Sequence, residues 1–380
     1  MSGEMKRDAL ILMLLGAIMI GWLLQRVDRG AVESGPISST ALLNSAPEDF
    51  RRVTGPVPLA FPADHGLHPG YRNEWWYFTG NLIDEDGRRY GFQYTLFRFA
   101  LPDASAQDSD FATEALWMGH LAVSDLDGRR FFNAERFGRD ALGLAGADQD
   151  LWWLRDWEVR RDGDSWHLQA GFDPIGLDLS LKPLSPIVLQ GEAGYSRKGP
   201  EPGNASRYYS ITRIDVSGAL ILDGEPRRVR GLAWLDREWG SSQLGAGIAG
   251  WDWFALQLDD GRDLMLYRLR TEDGRASPFS AGVLVQPDGS YRVLQREDFE
   301  LRPRRWWRDD EGVEWPVAWS AELPLAGLAL EVEAVFDAQR WNTTVAYWEG
   351  AVQVRNAADG AALGRGYLEL SGYAEGGPPR

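Results

Sequence analysis

Five carboxyl groups in this chain sit directly among aromatic residues. Glu74 borders Trp75, Trp76 and Tyr77; Asp236 and Glu238 lie between Trp234 and Trp239; Asp252 separates Trp251 from Trp253; and Glu349 follows Tyr347 and Trp348. A carboxyl enclosed by rings loses the solvation of its charged form and keeps a proton toward neutral pH. Indole and phenol faces stabilise a nearby cation without attacking it. These are the ingredients of a proton donor in an apolar site.

In an extended segment Trp234, Asp236 and Glu238 share a face, the two carboxyls about 7 Å apart, so their titrations couple. Asp236 and Glu238 are therefore the candidate proton donors. Candidate ligand contacts are Glu74, Trp76, Tyr77, Trp234, Trp239, Trp251, Asp252, Trp253, Tyr347, Trp348 and Glu349. Adjacent Trp75 and Trp76 must face opposite sides of a strand, and Glu74 with Trp76 is the pair expected to line a cavity. The competing assignments are an ion pair with Arg237 or Arg72 for Asp236 and Glu238, and plain core packing for the tryptophans.

Other chemistries lack their residues. His65, His68, His120 and His167 show no close ligand spacing, and the chain has no Cys, so no metal site and no cofactor are expected. No Gly-x-Ser-x-Gly elbow or phosphate-binding loop occurs. A net charge of -16 with scarce Lys argues against a nucleic-acid partner.

Asp-Gly pairs at 86, 127, 162, 223, 260, 273, 288 and 359 punctuate the chain. Each suits a tight hairpin turn. Between them run short aromatic or branched segments such as Gln93–Phe99 and Asp252–Leu258, and no long helical period follows residue 62. The folded part is expected to be all-β and antiparallel.

At the N-terminus, Lys6 and Arg7 precede an uncharged run from Ala9 to Leu24. Residues 1–29 read as a transmembrane signal anchor, or as a signal peptide, that puts the rest across the inner membrane into the periplasm or outside. A cleaved leader would make the protein secreted. Residues 30–60, rich in Ser, Pro, Ala and Gly, read as a flexible linker. Trp75-Trp-Tyr-Phe…Asp86-Gly-Arg88 echoes Trp251-Asp-Trp-Phe…Asp260-Gly-Arg262, either a drifted duplication or two like hairpins. The Gly-rich stretch 240–250 is the expected boundary, dividing 61–241 from 242–380.

Five strings in order, Asn73–Gly80, Gly194–Ser210, Trp234–Trp239, Gly250–Arg262 and Tyr347–Val352, resemble the AttH-like, carotenoid 1,2-hydratase-like family. The resemblance covers about Phe61 to Tyr373. It implies two consecutive lipocalin-like antiparallel β-barrel domains behind the N-terminal transmembrane or signal helix. It also implies an apolar lipid or isoprenoid ligand and, for some members, ABC-type export components as partners. The family pattern carries His where this chain has Arg237, and Arg is no general acid at neutral pH.

The function expected from these residues and this resemblance is binding of an apolar lipid or isoprenoid by a membrane-tethered, envelope-facing protein. Two alternatives stand beside it. One is a hydro-lyase that protonates and hydrates the terminal double bond of an acyclic carotenoid-like isoprenoid. The other is a structural or interaction protein at the membrane surface, which would leave Trp75 or Trp251 exposed.

Overall fold

The structure, a computed structural model, describes residues 50–102, 111–241 and 243–374, with Thr40. The anchor expected at residues 1–29 lies outside the described residues. Among those described, no helix is long and apolar enough to cross a membrane. The described end of the segment read as linker is packed: Val53 is buried and Arg51 N donates to Gly70 O at 2.9 Å.

The strands begin with two long hairpins, β1 (Asn73–Asp84) with β2 (Arg89–Ala100), and β3 (Ala115–Asp125) with β4 (Arg130–Arg139). Shorter strands follow: β5 (Ala145–Ala147), β6 (Leu151–Leu154), β7 (Trp157–Asp162), β8 (Ser165–Phe172) and β9 (Ile175–Pro183). Then come β10 (Val188–Leu189), β11 (Tyr195–Arg197) and the long pair β12 (Ala205–Leu222) and β13 (Glu225–Gly240). Beyond Gly240 lie β14 (Ile248–Leu258), β15 (Asp263–Thr271), β16 (Ala281–Val285), β17 (Tyr291–Leu294) and β18 (Glu300–Arg308). The last four are β19 (Glu314–Leu323), β20 (Leu328–Ala334), β21 (Tyr347–Asn356) and β22 (Ala362–Ser371).

Strands β1 to β13 form one antiparallel sheet in the order β4-β3-β2-β1-β13-β12-β9-β8-β7-β6-β5, with β10 and β11 pairing onto β12. It curls into a nearly closed barrel filled by Trp76, Trp117, Trp152, Trp157 and aliphatic neighbours. Strands β14 to β22 form a second sheet, β17-β16-β15-β14-β22-β21-β20-β19-β18, a half-barrel around Trp315, Trp319 and Trp348. Seven of the eight Asp-Gly pairs sit in hairpins between paired strands; Asp273-Gly274 turns the chain back to the isolated bridge Arg270–Ala276.

The two sheets pack outer face to outer face. A third apolar cluster joins them, with Tyr77, Tyr208 and Trp234 from the first and Trp253, Tyr267 and Tyr367 from the second. Gly91 permits this approach: a Cβ there would fall 2.5 Å from the Tyr367 hydroxyl. Polar links accompany the apolar contact, among them Gln257 Nε2 donating to Thr212 O (2.7 Å) and Ala233 O (3.0 Å), and Arg213 paired to Asp263 at 2.6 Å.

Candidate functional site

Strand alternation sends one set of residues into each barrel and the other set toward the partner sheet. Register then aligns the outward sets into rungs. Across the first sheet, one rung runs Met118–Phe97–Trp75–Glu238–Tyr208 and the next His120–Thr95–Tyr77–Asp236–Ser210. Across the second, a rung runs Tyr267–Trp253–Glu369–Glu349, and Tyr347 pairs with Ser371 beside it. Between these rungs lies a cavity with about 1080 Å³ of atom-free space, its open mouth included. Its wall is mostly aromatic and aliphatic, with Phe97, Phe99, Met118, Leu244, Leu269 and Val345 beside the tryptophans and tyrosines. An apolar wall with a few convergent polar groups is the character of a small-molecule site.

Four carboxyls face this space: Asp236, Glu238, Glu349 and Glu369. Glu349 and Glu369 stand directly opposite each other on β21 and β22, where side chains of one face come within contact reach. Burial raises the pKa of Glu349 well above the usual carboxylate range, the charge of Glu369 adds to the rise, and the Tyr77 hydroxyl, donating at 2.5 Å, only partly offsets it. Glu349 Oε2 has no hydrogen-bond partner among the described residues. Burial likewise pushes Glu369 up to about 7, against the bond from Trp251 Nε1 at 2.7 Å and with help from Asp236 and Glu238. Two facing carboxyls in such a place cannot both ionise, so the pair holds at least one proton at neutral pH.

Asp236 is held differently. Burial raises its pKa to about 7, although Ser210 Oγ (2.5 Å), the Tyr208 hydroxyl and Trp234 Nε1 (2.7 Å) all donate to it. Every oxygen is therefore engaged. Glu238 accepts from Ser206 and pairs with Lys198 at 2.9 Å. Burial lowers the Lys198 pKa, but Glu238, with Tyr267 and Asp236, outweighs it and the net shift is upward, so the ammonium stays charged over the Tyr208 and Tyr267 rings. The ion-pair alternative thus applies to Glu238, with Lys198 instead of an arginine. Asp236 makes no pair with Arg237 or Arg72.

Of the candidates drawn from sequence, Asp236, Glu238, Tyr77, Trp251, Trp253, Tyr347 and Glu349 line the cavity. Trp234 stands behind it as a donor to Asp236. The others lie elsewhere. Glu74 and Trp76 point into the first barrel, because the alternation of β1 turns Trp75 and Tyr77 toward the second sheet. Trp76 is core. Glu74 pairs with Arg237, binds His68 Nδ1 at 2.6 Å and lies 3.8 Å from Arg98. Trp239 stacks on His68 with ring centres 3.8 Å apart, Asp252 is clamped by Arg268 (2.7 Å) and Arg270 (2.5 Å), and Trp348 fills the second core. Of Glu74, Asp236 and Asp252, only Asp236 reaches the cavity. Trp75 and Trp251 are half-buried in its wall and not on the outer surface.

Arg237 faces the opposite side of β13 from Asp236 and Glu238, over the Trp76 ring at 3.8 Å. Its identity bears on the first barrel's interior and not on the cavity wall. Sequence reasoning missed Glu369, His120, Lys198, Tyr208 and Tyr267. Glu369 carries one signal, a carboxyl alternating with Leu on a strand two residues after Tyr367, and His120 carries none, since its partners Glu135 and Tyr347 are distant in sequence. Among the described residues no group of three or more His, Cys, Asp or Glu could hold a metal ion.

A sequence model of the family described as AttH-like matches residues 52–373. The solved structure of a putative AttH from Nitrosomonas europaea is 35% identical, covers 85% of this chain and 100% of its own, and superposes with a TM-score of 0.78. The kievitone hydratase of Nectria haematococca shares the fold at 13% identity, with 87% and 98% of the two chains covered and a TM-score of 0.64. CghA, solved with Sch210972, does so at 14% identity, 87% and 96% coverage and a TM-score of 0.54. No curated protein sequence matches. The architecture is lipocalin-like, a barrel followed by a half-barrel.

Proposed function

The chain belongs to the AttH-like family, and from that premise we propose that it binds an apolar, unsaturated molecule between its two sheets and adds water to it by acid catalysis. The observation that carries this reading is the facing pair Glu349 and Glu369. A protonated carboxyl with a free oxygen, inside an aromatic cavity, can deliver a proton to an alkene carbon. The wall of Trp75, Tyr77, Trp251 and Trp253 then shelters the carbocation while water attacks. Asp236 and Glu238 supply a fixed polar floor, the Asp236 oxygens held by Ser210, Tyr208 and Trp234 and Glu238 by Ser206 and Lys198. The fold shared with a kievitone hydratase is consistent with water addition but is an argument from fold alone.

A second reading, a carrier that holds a lipid or isoprenoid without changing it, is favoured by the mostly aromatic and aliphatic surface that the wall presents. Both readings suit a ligand that partitions into bilayers. The N-terminal anchor read at residues 1–29, a folded part on the periplasmic or outer side of the inner membrane, and an ABC-type exporter as partner belong to the same proposal.

Incubating the full chain with acyclic carotenoids in H₂¹⁸O separates the readings. Acid catalysis yields a tertiary alcohol bearing ¹⁸O, and Glu349→Gln, which keeps an acceptor for Tyr77, lowers its formation by about 10²- to 10⁴-fold with the melting temperature retained. Ligand recovered bound and unaltered, with no alcohol from any polyene, leaves the carrier.

A further inference from the structure

We propose that Tyr347, His120 and Glu135 form a proton relay that opens into the same cavity and accepts the proton of the attacking water. This rests on the acid-catalysed reading above and supplies its missing half, since water addition needs a base as well as an acid.

The three side chains are joined across the sheet interface. Tyr347 comes from β21, and its hydroxyl lies 2.5 Å from His120 Nδ1 on β3. His120 Nε2 lies 2.9 Å from Glu135 Oε1 on β4, the residue registered opposite it. Glu135 is itself fixed by Thr344, whose backbone N–H reaches both carboxylate oxygens at 3.2 and 3.1 Å and whose hydroxyl donates at 2.6 Å. Tyr347 and His120 line the cavity; Glu135 lies behind them at the rim.

The arrangement dictates a tautomer. Burial lowers the His120 pKa against the opposing pull of Glu135, so the ring is neutral at rest. Burial raises that of Glu135, but His120 and Thr344 outweigh it and the carboxylate is ionised. An ionised Glu135 accepts the Nε2 proton, which leaves Nδ1 bare to accept from the Tyr347 hydroxyl. A base oriented by a carboxylate on its far nitrogen is the logic of a catalytic triad. Trp341, with its ring centre 5.0 Å from His120, and Phe97 at 5.3 Å hold the imidazole in place.

Position matches role. Tyr347 and Glu349 are alternate residues on one face of β21, about 7 Å apart along the strand, room for one double bond and one water between acid and base. Glu349 gives its proton to one alkene carbon as the π bond breaks, leaving the cation on the other. Water forms the C–O bond there and passes its surplus proton to the Tyr347 oxygen, while the Tyr347 proton moves to His120 Nδ1. The imidazolium, paired with Glu135, returns a proton to the Glu349–Glu369 pair by way of solvent in the emptied cavity. The sum is alkene plus water to alcohol.

The test uses the full chain, ¹⁵N-histidine labelling and an acyclic carotenoid as probe. Only four histidines contribute signals, and His120→Gln assigns the one of interest. The relay requires a neutral Nε2–H tautomer whose Nδ1 signal moves in Tyr347→Phe and whose tautomer balance shifts in Glu135→Gln. Turnover falls at least about 100-fold in Tyr347→Phe and His120→Gln, with probe affinity by Trp fluorescence within about twofold. An Nδ1–H tautomer, or an Nδ1 signal indifferent to Tyr347→Phe, overturns the relay. Wild-type turnover that survives both substitutions removes the relay alone; a wild-type protein that makes no alcohol removes the acid-catalysed reading and this base with it.

Discussion

Glu74 and Glu349 are both fully buried glutamates on long strands, and they take opposite charge states. Burial alone pushes each carboxyl toward neutrality. At Glu74, Arg237, His68 and Arg98 overcome that push and bring the pKa down to about 2. At Glu349 the residue registered opposite is another carboxyl, Glu369, which adds to the push. The first site is an ion-pair cluster that locks a barrel end; the second is a proton store that opens onto a cavity. What distinguishes them is the partner and not the depth.

That contrast can be broken at three points. The largest effect belongs to Glu74→Gln, which strands the fully buried Arg237 guanidinium and should cost about 3–5 kcal/mol. Chemical denaturation measures it, and a loss below about 1 kcal/mol would mean the cluster is not a structural ion pair. Glu349→Gln, by contrast, should leave stability at neutral pH unchanged or raised.

Next in size is the pH dependence. Glu369 has a folded pKa raised to about 7 from an ordinary 4.5, so its contribution to stability is complete below about 4.5 and lost as pH rises through 7. Glu74 behaves oppositely, its contribution present above 4.5 and lost as pH falls toward 2. Relative to wild type, Glu369→Gln should therefore gain about 5 °C in melting temperature between pH 4.5 and 8. Parallel melting curves across that range would show that Glu369 titrates normally.

The smallest effect is that of Tyr77→Phe. It removes one buried hydrogen bond, worth about 1 kcal/mol, and with it the donor that restrains the pKa of Glu349. The apparent titration of the pair, followed by carboxyl infrared absorption, should move upward. A downward move would mean that Tyr77 stabilises the neutral acid instead.

Much of the fold is legible in the chain. Asp-Gly pairs mark hairpins because the turn itself needs residues that accept positive φ, a local requirement visible without any tertiary contact. The five ordered strings point to the family and hence to the paired lipocalin-like sheets. Alternation also groups Asp236 with Glu238, and Trp251 with Trp253, on single faces.

Which face meets the ligand is another matter. Trp75 and Trp76 read alike, and only the packing of one sheet on the other turns Trp75 to the cavity and Trp76 to the core. Glu349 and Glu369 are 20 residues apart in sequence, with nothing local to couple them; the β21–β22 register puts them opposite. The relay joins residues more than 200 positions apart. Local sequence determined the strands, their turns and the side of each strand a residue takes, because those depend on backbone preference and a period of two. Tertiary structure decided which sides meet, and so which carboxyls keep their protons, because charge state follows from the partner brought near.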